Sequence, residues 1–174
     1  MNVQPYFDIE LFLQTANETR LAGEEMALCL GLWEEWMAEL SCNEVEDGGK
    51  KYIAVWLSPE IETAVATMWE ESPSRGFLLN ALAQTLCMCA VHELVPEVTD
   101  VGCAPVPPAS ESLAAAITEA GLPARLGSAP GTGLEFARKY AVVTRSPFGG
   151  GCEVCALVSS CPRAGSGSSF IELG

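Results

Sequence analysis

In Tyr52-Ile53-Ala54-Val55-Trp56-Leu57-Ser58-Pro59-Glu60 two secondary structures meet without a gap. The first six residues are apolar on both faces and too few for a buried helix, which predicts a strand inside a sheet rather than at its edge. Ser58-Pro59-Glu60 then combines an N-cap residue, a proline at the first helical position and an acid in the first turn. These are three independent reasons for a helix to start there.

Working downstream, Ile61, Val65, Met68 and Trp69 recur at helical spacing and are expected to face a core. Glu60, Glu62, Glu70 and Glu71 stay in water. After Ser72-Pro73-Ser74 a further helix is predicted from Gly76 to Glu93. It is apolar or small nearly all round, so it should be the most buried element, and Pro96 ends it. From Val98 onward Gly, Pro and Ala dominate. Ser110 to Ala120 predicts a weaker helix closed by Gly121 and Pro123, and Tyr140-Ala141-Val142-Val143-Thr144 a second strong strand. Ser166 to Ser169 reads as linker, and Phe170-Ile171-Glu172-Leu173 as a last strand or docking segment. Upstream, a helix is predicted from Thr19 to Leu40, carrying Leu21, Leu28, Leu32 and Trp36 on one face. Asn43 to Gly49 reads as a polar turn leading into the central strand.

The 174 residues suffice for one well-buried core and not comfortably for two. Nine basic against 23 acidic residues leave a formal charge of -14, which argues against nucleic acid or an anionic membrane and favours basic proteins, metal cations or cationic cofactors. The start Met1-Asn2-Val3-Gln4-Pro5-Tyr6-Phe7-Asp8 lacks the pattern of a signal peptide. The nearest approach to a membrane span, Phe77 to Val91, is short and interrupted by Asn80 and Gln84. The expected location is cytoplasmic, where eight cysteines serve as thiols or ligands rather than as a disulfide framework.

Gly149-Gly150-Gly151-Cys152-Glu153-Val154-Cys155 followed by Cys161-Pro162 places three thiols within ten residues. Soft, charge-bearing sulfurs at Cys-x-x-Cys spacing suit zinc or an iron-sulfur cluster, whereas the bland reading is three reduced thiols in a Gly-rich segment. The spacing departs from the ferredoxin pattern, whose second interval is also two residues. Three ligands are one short of a closed site. Cys103, in the loop-like Asp100-Val101-Gly102-Cys103-Ala104-Pro105, is the candidate fourth, with an ordinary small buried residue as the alternative.

Cys87 and Cys89 are two apart in the predicted core helix and point to different faces, so packing is their expected role, as for Cys29 and Cys42. His92 is the only histidine; near a helix end its bland reading is an imidazole stabilised by the helix C-terminus, and hydrolase chemistry has no other base of that kind. The acidic pairs Glu24-Glu25, Glu34-Glu35 and Glu70-Glu71 read as solvated faces. Gly127 to Gly133 lacks the strand and spacing of a dinucleotide loop.

The succession of Tyr52 to Leu57, Ser58-Pro59-Glu60-Ile61-Glu62, Trp69-Glu70-Glu71 and Phe77-Leu78-Leu79-Asn80-Ala81-Leu82-Ala83 through Glu97-Val98 resembles the activation domain of cobalamin-dependent methionine synthase and its stand-alone relatives. Leu134-Glu135-Phe136 and Tyr140 to Ser146 resemble its late strand, and stand-alone members end in a cysteine cluster comparable to Cys152, Cys155 and Cys161. The resemblance spans roughly residues 50 to 162. It implies an α+β domain with a twisted, mostly antiparallel sheet flanked by helices over residues 1–148, followed by a Gly/Cys-rich segment over 149–174. It also implies S-adenosylmethionine binding and packing against a cobalamin domain, with the chemistry carried by corrinoid and sulfonium.

Two departures qualify that implication. The family's Arg-x-x-Pro-Gly-Tyr stretch, which grips S-adenosylmethionine, falls at Thr99 to Pro108, where neither the arginine nor Pro-Gly-Tyr is present, so no contact to that cofactor is carried over. A central-helix acid of the family is replaced by Gln84. The expected function is an accessory protein of this type, not a self-sufficient catalyst, linked to a corrinoid protein or a redox protein. The alternatives are a thiolate metal or iron-sulfur module for electron transfer or structure, and an acidic interaction protein with incidental cysteines. If the adenosyl site has been rebuilt, Cys103 could complete four thiolates with Cys152, Cys155 and Cys161.

Overall fold

The expected internal strand is β2 (Lys50–Leu57), the middle strand of an antiparallel sheet in the order β1-β2-β5, with β1 at Leu40–Asp47 and β5 at Ala141–Arg145. This is a computed structural model, and it describes residues 1–128 and 133–161. Alternation along β2 splits the interior in two: Ile53, Val55 and Leu57 face one core, and Tyr52, Ala54 and Trp56 the other. The first core is built on α4 (Pro73–Leu94), against which α1 (Ile9–Ala16), α2 (Gly23–Met37) and α3 (Pro59–Glu71) all pack. On the opposite face sits α6 (Glu111–Glu119), joined by a small antiparallel sheet of β3 (Ala124–Leu126) and β4 (Leu134–Phe136). A short α5 (Glu97–Val101) packs on α4. The fold is therefore α+β, and every strand pair among the described residues is antiparallel.

α4 is the most buried element, with Leu82, Leu86, Ala83, Ala90 and Val91 fully covered. At 22 residues it is long and apolar enough to cross a bilayer by length and composition, contrary to the shorter span read from sequence. However, 61% of its apolar window is buried inside the fold, as suits a core helix. Ser110, read from the sequence as the first helical residue, instead caps α6, its Oγ accepting from the Leu113 N–H at 3.1 Å. Ser58 is extended before Pro59, yet its hydroxyl makes no capping bond and is buried without a partner. The start of α3 thus rests on the proline and Glu60.

Several elements differ from the reading of the sequence. The helix expected over Thr19 to Leu40 spans only Gly23–Met37, and α1 precedes it, capped by the Asp8 carboxylate on the Leu11 N–H. Asn43 to Gly49 is mostly strand: only Gly48 and Gly49, at φ 57° and 73°, form the turn, and Asp47 pairs with Lys50. Glu44 and Glu46 hid this strand because an edge strand tolerates exposed charge. Trp69, expected in the core, is 38% exposed and stacks edge-on against Phe77 with centroids 6.4 Å apart. The expected linker at Ser166 to Ser169 and strand at Phe170 to Leu173 lie outside the described residues.

Candidate functional site

Between α5 and α6 the chain passes from one face of the sheet to the other, and residues 102 to 108 make this crossing beside β5. A buried hydrogen bond ties the crossing down, from Thr144 Oγ1 to the Pro105 carbonyl at 3.0 Å. Proline-rich sequence suits this path, because Pro105, Pro107 and Pro108 have no N–H to leave unpaired.

Among the described residues β5 is an edge strand. Leu57 N–H donates to Tyr140 and Ser146 N–H to Lys51, so by antiparallel alternation residues 142 and 144 bond to β2. Ala141 and Val143 turn their backbone polar groups the other way. They open onto a cavity of about 450 Å³ whose remaining walls include Gln84 and Met88 of α4, Gln14 of α1, and Cys103 and Ala104 of the crossing segment. Among the described residues no Asp, Glu, Lys, Arg or His lines it. Thr15 Oγ1 donates to the Leu11 carbonyl at 2.8 Å, and the other polar side chains among the lining residues are the two carboxamides and the Cys103 thiol.

Gln84 and the 102–104 segment, distant in sequence, thus share one cavity. Both were singled out in the sequence as departures, Gln84 where the resembled family has an acid and residues 102–104 within the stretch where that family's Arg-x-x-Pro-Gly-Tyr is absent. The partners of Gln84 across the cavity, Gln14 and the β5 edge, went unnoticed because α1 was missed and because an open strand edge has no residue-type signature.

The cysteine segment lies against the other side of the crossing. Ala156 N–H donates to the Val106 carbonyl at 2.9 Å, and a Cβ on Gly151 would lie 3.5 Å from Val101 Cγ1. Cys152–Val154 is one 3-10 turn, closed by the Cys155 N–H on the Cys152 carbonyl at 3.2 Å. Cys152 is exposed; Cys103, Cys155 and Cys161 are half-buried. The docking brings the segment to the loop that carries Cys103. Among the described residues, however, no group of three or more His, Cys, Asp or Glu side chains is gathered so as to hold a metal ion. The thiols expected as ligands are near in chain and loop but do not converge on one point.

The remaining cysteines are buried in the cores. Burial pushes Cys29, Cys42 and Cys89 up to about 11 and Cys87 further still, so they remain neutral thiols at ordinary pH. His92 lies in the last turn of α4, near the helix end as read from the sequence. Burial lowers its pKa while Asp8 pulls it up, and its Nε2 is buried without a partner. No protein-family model, curated protein or solved structure matches the chain.

Proposed function

We propose that this chain is an accessory, ligand-binding protein related to the activation domain of cobalamin-dependent methionine synthase, serving a corrinoid protein rather than catalysing a reaction alone. One observation carries the reading: Gln84 and the 102–104 segment, the two places where the sequence departs from the resembled family's pattern, meet in one cavity, as a rebuilt ligand site would require. Its walls offer carboxamides, backbone edge and apolar surface without a charged side chain, which suits binding and orientation more than proton transfer. Its size is at the small end of the roughly 300–1,000 Å³ range of ligand pockets. A small molecule fits inside; a corrin macrocycle would have to be presented by a partner across the rim.

The test is calorimetric titration of the full chain with S-adenosylmethionine and with hydroxocobalamin, alone and carried on a corrinoid protein. Binding of one of these, weakened about tenfold or more in Ala104→Trp, supports the reading. Absence of binding in every arm removes it.

The alternative is a thiolate metal or iron-sulfur module, favoured by the Cys152–Cys155 turn, in which side chains at i and i+3 fall on the same side. The donors fit such a group in type and number, but closing a site requires both Cys103 and Cys161 to join the two thiols of the turn. Metal analysis and an absorbance spectrum after anaerobic purification, repeated with both turn cysteines replaced by serine, decide it. A metal-free, colourless protein rejects this alternative.

A further inference from the structure

A second cavity, of about 350 Å³, lies at the end of the sheet between Pro105–Pro108 and the Phe148–Gly150 turn. Its mouth carries Lys50 and Arg145, both exposed. Among the described residues the salt bridges are Lys51–Glu44 and Arg125–Glu135, so neither Lys50 nor Arg145 is engaged in one. Glu153 also lines the cavity, but its Oε1 accepts the Gly151 N–H at 2.8 Å and is held on its own turn. In a chain of net charge -14, this mouth presents two cations against one carboxylate.

Arg145 lies along the Gly149 backbone, where a Cβ would come 2.6 Å from Arg145 Cδ and 2.9 Å from Nη1. Gly150, at φ 127°, would bring a Cβ to 2.5 Å from Glu153 Oε1, which makes the turn itself dependent on glycine. The interior is apolar, with Phe148, Val154 and the prolines, and Tyr52 at its base.

We propose that this cavity binds an organic anion, a carboxylate or phosphate carried on a flat apolar body. Arg145 offers its planar fork to the charged group and Lys50 adds a second positive charge, while Phe148 and the prolines cover the body. The site is separate from the carboxamide-lined cavity and does not rest on the methionine synthase reading.

The test is titration of the full chain with naphthoate, naphthyl phosphate and the neutral naphthalenemethanol, followed by calorimetry or amide chemical shifts. At least one anion is expected to bind about tenfold tighter than the neutral compound, and the tighter of the two identifies the head group. Arg145→Gln should lower that affinity by about tenfold, and added salt should weaken it further. Because Arg145 is exposed, the variant should fold; Arg75→Gln, at an exposed arginine that lines neither cavity, is the control and should bind as the parent does. Equal affinity for the neutral compound, unchanged binding in Arg145→Gln, or no binding of either anion overturns the proposal.

Discussion

Thr144 holds Pro105: its Oγ1 donates to the proline carbonyl at 3.0 Å, and Thr144 is 1% exposed. This bond fixes the crossing segment against β5 and so sets the shape of both cavities. Thr144→Val keeps the volume but leaves the carbonyl buried and unpaired, which should cost about 1–3 kcal/mol. Urea unfolding of the parent and variant checks the figure, and an unchanged midpoint would show that the loop does not need the tether.

Gly76 lies against the backbone of Trp69, where a Cβ would come to 2.7 Å from Trp69 Cα. Helix propensity alone favours Gly76→Ala by about 1 kcal/mol. The obstruction is main chain and cannot swing aside, so overpacking of about 1–3 kcal/mol should win and the variant should be less stable. Thermal unfolding gives the sign directly; a raised midpoint contradicts the close approach.

The buried thiols make stability depend on alkaline pH. Unfolded cysteines ionise near 9.0, whereas Cys29, Cys42 and Cys89 keep their protons to about 11 when folded. Above 9.0 the unfolded state binds fewer protons than the folded one, so stability is full below that pH and falls as pH rises toward about 11. The slope should be on the order of 1 kcal/mol per thiol per pH unit. Urea midpoints measured across this window under reducing conditions test it, and Cys42→Ala should flatten the slope.

Alkylation should separate the cysteines by place. With iodoacetamide at neutral pH, exposed Cys152 is expected to react first, and Cys29, Cys42, Cys87 and Cys89 only on unfolding. Mass spectrometry of digested protein reads the order, and early labelling of Cys87 would contradict its burial.

Ala156→Pro removes the N–H that reaches the Val106 carbonyl at 2.9 Å and should loosen the cysteine segment without touching the cores. Cys155 would then approach Cys152 in alkylation rate. If the rates remain as far apart as in the parent, the segment is held by other contacts.

The central strand, the buried helix and α6 were legible because each combines composition with a stop or start signal. β2 needed only its two-faced apolar run, and α6 its closing Gly121 and Pro123. β1 was not legible, since Glu44 and Glu46 on an edge strand look like a turn until Gly48-Gly49 is recognised as the whole of it. α1 was overlooked although Asp8 provides its cap. The candidate site was legible only in part. Gln84 and Cys103 could be named, but their meeting across the β5 edge depends on how the chain crosses the sheet, and no local pattern encodes that. The reverse holds for the cysteines, whose spacing is conspicuous in sequence while their sulfurs do not gather among the described residues.

Val106 stands in the wall of both cavities. A ligand that displaced this residue from one side would alter the room available on the other, which would couple the two sites through their shared wall. Whatever factor the first imposes on the affinity of the second, the second must impose on the first, and a thermodynamic cycle measured from either end has to close. A tryptophan placed at 106 would strike both ligands at once, whereas one at Ala104 would strike the first alone.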